Sequence, residues 1–282
     1  MNTDFNEDAL RELELWPYIA LQRQAALVEG TGTVEPEDAV RARPVSPAPS
    51  PASPAASHEQ ASTQQSRPAA PRSFKPAPVA KTIEVVADPA RVSRIAQLDW
   101  QGLKDESAAC QACGLCKQRK QAVLGVGAVD APWLLVGEGP GAEEDQIGEP
   151  FVGQAGKLLD AMLSAAGLQR GREVYIANVV KCRPPGNRTP SAEEALACAP
   201  FLDRQIDLIK PKLIVALGKT AATRLTGSEA SMASLRGKTY EYRGIPVVVT
   251  YHPSYMLRTP TEKLKSWEDL MFAKRAFVAA AR

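Results

Sequence analysis

The chain has 282 residues, enough for one or two domains, yet 11 of its 23 prolines fall between Pro36 and Pro89, and residues 31–90 hold one aromatic side chain, Phe74. There is no apolar run of about 18 residues to cross a membrane, and the acidic stretch from Met1 to Glu12 lacks the apolar segment of a secretion signal. Net charge is +2 overall but uneven: residues 1–30 carry six acidic and two basic side chains, while 91–282 carry 20 acidic and 26 basic ones. That excess suits a nucleic-acid partner, and equally an enzyme of small anionic substrates.

Residues 1–30 read as an amphipathic helix interrupted near Pro17, either one that docks on a protein partner or on the folded part, or a marginal helix with no partner. The Pro/Ala/Ser-rich stretch 31–90 cannot bury enough apolar surface to offset the entropy of ordering it, and is expected to be a disordered spacer. One folded domain is expected over 91–282. Trp133-Leu134-Leu135-Val136 reads as a buried strand ending at Gly137. Helical spacing follows over 156–163, closed by Gly167. Val174 to Val180 is a second strand. Thr189-Pro190-Ser191 with Glu194 is a capping signature for a helix running to Ile209.

Leu213 to Gly218 is a third strand, followed by a helix from Thr220. A hairpin over 240–251 contributes the fourth, Val247 to Thr250, and a C-terminal helix carries Trp267, Leu270, Met271, Phe277 and Val278. Strands that are apolar throughout and separated by helices imply a three-layer α/β/α fold around a mostly parallel, four-stranded sheet. A site is expected beyond the carboxyl ends of the strands. Three of those ends carry unusual residues: Gly137-Glu138-Gly139-Pro140-Gly141, Asn178, and His252-Pro253-Ser254.

The five cysteines all lie between 110 and 198, and without a secretion signal they are expected to be reduced or metal-bound in a cytoplasmic protein. Cys110 and Cys113 form a CxxC, Cys116 follows, and Cys182 and Cys198 bracket a helix start. Four thiolates suit zinc or an iron–sulfur cluster. The wide second pair, unlike the second CxxC of a zinc ribbon, favours the cluster and leaves one cysteine spare. Of the two histidines, His58 falls in the spacer, whereas His252 at a strand end beside a proline-fixed loop is a candidate for chemistry. The glycine-rich loop fails GxGxxG and lacks GK[ST], so its glycines serve a tight turn beside a ligand rather than a nucleotide phosphate.

Residues 137–145, Pro150-Phe151-Val152-Gly153, Asn178-Val179-Val180-Lys181-Cys182-Arg183-Pro184-Pro185 and His252-Pro253-Ser254-Tyr255 together resemble the iron–sulfur-containing, family-four uracil-DNA glycosylases over about 95–278. The resemblance implies a base-excision repair enzyme that flips uracil out of DNA and hydrolyses its N-glycosidic bond. It assigns Phe151 as the stacking face for the base and Gly139 to the pocket wall. Asn178 would pair with O4 and N3–H, and Glu144 would stand where thymine carries its methyl. His252 would donate to O2 as charge gathers there. Glu138 would orient water or stabilise the sugar cation, and simple hydrolysis is expected, with no lysine forming a Schiff base.

By the same resemblance Ser254, Tyr255 and Arg258 belong to a DNA-binding loop, with Met256 and Leu257 as apolar wedges. Cys110, Cys113, Cys182 and Cys198 would hold a 4Fe-4S cluster, and Cys116 would be the spare. Single- or double-stranded uracil-containing DNA is the implied partner, and a monomer is expected. Two rival readings stand beside this one. The first is a glycosylase for another deaminated base; the second is a catalytically inactive, cluster-bearing DNA-binding module.

Overall fold

In the computed structural model the described residues are 11 and 88–280. The helix expected within 1–30 and the spacer expected over 31–90 lie outside them, apart from Arg11 and residues 88–90. Those last three already belong to the folded part. Asp88 caps the first helix, α1 (Pro89–Ile95), through its side chain, with Pro89 at the position where a missing N–H costs nothing. Helix α2 (Trp100–Ala109) follows, capped by Asp99, and Cys110 ends it.

Five strands form one sheet in the order β2-β1-β3-β5-β4. They are β1 (Trp133–Gly137), β2 (Val174–Asn178), β3 (Leu213–Leu217), β4 (Thr239–Tyr242) and β5 (Ile245–Thr250). The first three and β5 run parallel, as expected. The count is five because the first arm of the 240–251 hairpin does not stay outside the sheet: β4 pairs antiparallel with β5 and forms an edge. Its alternating half-exposed pattern, against the buried run of β5, is what an edge strand needs.

Side chains alternate between two apolar layers. Leu134, Val136, Ile214, Ala216, Val247 and Val249 face the side covered by α1, α2, α5 (Ala192–Ile209) and α6 (Lys219–Thr226). Trp133, Leu135, Ile176, Val215 and Val248 face α4 (Gln154–Ala165) and the C-terminal helix α9 (Lys263–Ala280). This is the expected three-layer architecture, and burial on both faces explains why β1 and β3 are apolar at every position and β2 at every position before its last, Asn178. Removing a core side chain such as Leu202 would cost about 2–5 kcal/mol.

The chain order places β1 in the sheet between β2 and β3, so the connections leaving β1 and β2 run to opposite sides. A crevice therefore opens beyond the carboxyl ends of β1 and β3. Gly137-Glu138 and Leu217-Gly218 stand there, with α3 (Ala142–Ile147) close by. The short α7 (Met232–Leu235) lies away from this crevice, and α8 (Pro253–Arg258) borders it.

Candidate active site and thiol cavity

The crevice is a cavity of about 520 Å³ lined by Glu138, Gly139, Glu144, Phe151, Asn178, His252, Ser254, Tyr255 and Arg258, among others. Every site residue expected from the sequence, apart from the cysteines and the wedges Met256 and Leu257, is on that wall. The elements explain the convergence: β1 delivers Glu138 and Gly139, β2 ends on Asn178, and β5 leads into His252, the N-cap of α8.

Asn178 is buried, and its amide oxygen Oδ1 has no hydrogen-bond partner. An unpartnered buried acceptor costs about 1–3 kcal/mol, so it points to a ligand donor. A Cβ on Gly137 would lie 2.4 Å from that oxygen and 2.6 Å from the Phe151 ring, so glycine there gives both groups their room. Phe151 sits at φ 56°, in the left-handed region, with its ring centroid 5.4 Å from that of His252. Gly139 presses against Val180, where a Cβ would come within 2.8 Å.

The backbone N–H of Ser254 donates to His252 Nδ1 at 3.2 Å, and the Ser254 hydroxyl lies 2.8 Å from the same nitrogen. Nδ1 is thus the acceptor, and the ring proton belongs on Nε2. Burial, reinforced by the Arg258 charge, pushes the imidazole down to about 4, so His252 is a neutral N–H donor at physiological pH. Ser254, expected on the DNA-binding loop, turns its hydroxyl to this ring.

Glu144 spends its carboxylate on the backbone. Oε1 accepts from Val152 N–H at 3.0 Å and Gly153 N–H at 3.1 Å, and Oε2 accepts from Gly141 N–H at 3.1 Å. The side chain staples the Phe151 loop to the glycine loop, as a carboxylate with several N–H donors does well. Glu138 accepts a 2.5 Å hydrogen bond from Thr220 Oγ1 at the start of α6. Asp145, a neighbour of Glu144, is buried and accepts from Lys120 N–H at 2.9 Å.

Two expectations on the 253–258 segment change. It is a helix rather than a loop, because Pro253 suits a first helical position and His252 caps it. Met256 is buried in the cluster with Trp267 and Leu270, so it anchors the helix and is no wedge. Tyr255, Leu257 and Arg258 are exposed.

Sequence reasoning also passed over Lys181, the lysine inside the third motif. It is fully buried; its Nζ donates to the Asn178 carbonyl at 2.8 Å and to Gln205 Oε1 at 2.5 Å. An amine sealed this way braces the end of β2 and has no path to a sugar carbon. No spacing signal marks it, since Gln205 lies 24 residues on, in α5.

Cys110, Cys113, Cys116, Cys182 and Cys198 line a second cavity, with Ala112, Ala197 and Phe201 as its apolar wall. Among the described residues no three His, Cys, Asp or Glu side chains are close enough to share one ion. The lining offers five thiols with no imidazole or carboxylate beside them, the soft donor set that zinc or an iron–sulfur cluster takes. Their surroundings suit thiolates. Arg119 donates to Cys182 Sγ at 2.9 Å, Arg91 to Cys110 Sγ at 3.4 Å, and the Lys181 backbone N–H to Cys198 Sγ at 3.2 Å. Burial first, and then the neighbouring thiols, push the Cys113 and Cys182 thiols up, and Cys198 to about 12, so bound positive charge is what would make thiolates stable here.

Comparison with known proteins agrees with this geometry. The family model described as the uracil DNA glycosylase superfamily matches residues 124–271. A Type-4 uracil-DNA glycosylase of Thermotoga maritima is 47% identical over 169 residues, covering 58% of this chain and 88% of that protein. A Type-4 enzyme of Pyrobaculum aerophilum is 45% identical over 181 residues, covering 61% and 92%. A Type-5 enzyme of the same organism is 37% identical over 86 residues, covering 29% and 37%. With the strand-end cavity, the orphaned amide of Asn178 and the thiol cavity in place, the chain belongs to the uracil DNA glycosylase superfamily and, within it, to the Type-4 family.

Proposed function

We propose that this protein excises uracil from DNA by hydrolysing the bond between deoxyribose C1′ and uracil N1, leaving an abasic site for repair. The observation that carries the reading is the buried, unpartnered Oδ1 of Asn178 on the cavity wall. Uracil offers N3–H to that acceptor and O4 to the amide N–H, whereas cytosine presents the opposite polarity at both atoms. A base reaches this cavity only after leaving the helix, at a cost of about a few kcal/mol. Phe151 supplies the stacking face, and Glu144, tied to three N–H groups, is a rigid wall where a C5 methyl would sit.

As the C1′–N1 bond breaks, its electron pair passes to the base and gathers on O2. The Nε2–H of neutral His252 is suited to stabilise that charge, more in the transition state than in the ground state. Water adds its oxygen to C1′ and gives up a proton that ends on the departing uracil anion, with Glu138, fixed by Thr220, as the group that orients the water. Arg258 and Tyr255, exposed beside the cavity, suit contact with the DNA strand.

Cys110, Cys113, Cys182 and Cys198 would hold a 4Fe-4S cluster, with Cys116 spare. Once bound, it supplies positive charge to the thiolates and cross-links α2, the loop after β2, and α5. Hydrolysis moves no net electrons, so the role assigned to these residues is structural.

The test is an oligonucleotide with one uracil, incubated with the protein without magnesium and then treated with hot alkali. A break only after alkali, and only at uracil rather than at thymine, is expected. No break, with fold and colour intact, would shift the reading to another deaminated base, or to a binding module if hypoxanthine is also left in place.

A further inference from the structure

Phe151 occupies a conformation that its own residue type disfavours. A bulky side chain at φ 56° costs roughly 1–2 kcal/mol and persists only where the surroundings over-determine it. Glu144 holds the residues just after it, Val152 and Gly153, by their N–H groups. The carbonyls just before and at the strained residue are held by something else. Arg170, in the turn leading into β2, donates from Nη1 to the Pro150 carbonyl at 2.7 Å and from Nη2 to the Phe151 carbonyl at 2.8 Å. Its Nε donates to Asp160 of α4 at 2.9 Å. All three guanidinium nitrogens are therefore committed. Gly156 completes the seat, since a Cβ there would lie 1.8 Å from the Phe151 carbonyl oxygen.

Arg170 does not line the active-site cavity. From these contacts we infer that Arg170 is a positioning residue for catalysis: its planar fork locks the Pro150–Phe151 backbone in the left-handed turn and so fixes the ring on which uracil stacks. Lysine cannot replace it, because one ammonium does not present two parallel N–H groups to adjacent carbonyls while a third faces a carboxylate. The inference rests on Phe151 being the stacking face, and its test separates the two.

Single-turnover excision of uracil is measured for Arg170→Gln, Arg170→Lys, Phe151→Ala and the double variant Phe151→Ala/Arg170→Gln, together with affinity for undamaged duplex. Arg170→Gln is expected to slow excision about 10- to 100-fold, with lysine restoring little and duplex affinity unchanged. In the Phe151→Ala background the Arg170→Gln change should add almost nothing, because both act through the same ring. Losses that multiply, or parental rates in Arg170→Gln, would overturn the positioning role. Parental rates in Phe151→Ala would overturn the stacking reading instead. Should Arg170→Gln fail to fold, Asp160→Asn, which only loosens the guanidinium, replaces it in the same cycle. A smaller loss that vanishes without Phe151 supports the role, and a loss that persists contradicts it.

Discussion

The two cavities meet at one short segment, Asn178 to Cys182, yet they are built on opposite principles. The strand-end cavity is complete as it stands. Its imidazole tautomer is set by Ser254, its Glu144 and Glu138 carboxylates are tied to backbone N–H groups and a hydroxyl, and its aromatic ring is locked. The polar atom left unsatisfied there is the one proposed to meet the base. The thiol cavity is the reverse. Its walls are largely apolar, burial pushes the Cys113, Cys182 and Cys198 thiols up, and the N–H donors around the sulfurs become useful only once the thiols ionise. A site that must select a substrate is organised in advance, whereas a site that holds a resident group can leave part of its organisation to that group.

The comparison is sharpened most by Cys182→Ala, which removes a thiol from one cavity at a position continuous with the other. It should abolish visible colour and bound iron. The melting temperature should fall by roughly 10 °C or more, since a buried metal site is worth several kcal/mol and each shifts the midpoint about 2–4 °C. A colourless parent with one zinc per chain would break this half of the account. Next comes His252→Ala, expected to slow excision about 10²- to 10³-fold with colour unchanged, as for loss of one donor to a developing anion. Colour lost along with activity would show that the cavities are not separable.

Gly156→Ala puts a methyl group against the Phe151 carbonyl. It should cost about 2–3 kcal/mol, seen as a lower melting temperature, and slow excision without altering iron content. The last effect is confined to low pH. His252 titrates at about 4 in the fold against an ordinary 6.5, so the unfolded chain takes up its proton first as pH falls. Stability should drop between those values, by about 3 kcal/mol at most, and be unaffected by this group above pH 6.5. His252→Asn keeps a capping side chain and should flatten that part of the melting profile. An identical profile in both proteins would contradict a buried neutral imidazole.

Much of the fold was legible because β1, β2, β3 and β5 are apolar at nearly every position, and the Ser191/Glu194 box marks the start of α5. The edge strand β4 was legible only as a hairpin arm, since nothing local says whether such an arm joins a sheet. The residues proposed to read the base were visible as oddities at strand ends. Their supports were not. Arg170 sits in a polar turn 19 residues from Phe151, Thr220 is 82 residues from Glu138, and Lys181 is an ordinary-looking lysine until β2 and α5 enclose it. Residues that touch a substrate leave chemistry in the sequence, whereas residues that hold them leave only distance.

The most direct measurement compares single-turnover excision of uracil and of N3-methyluracil from otherwise identical oligonucleotides, by the parent and by Asn178→Ala. The methyl group removes the N–H that the buried Oδ1 is left to accept. The parent should release uracil at least about 10²-fold faster than N3-methyluracil, and Asn178→Ala should lose most of that preference. Equal rates on the two bases in the parent would contradict the assignment of Asn178 as the reader of uracil.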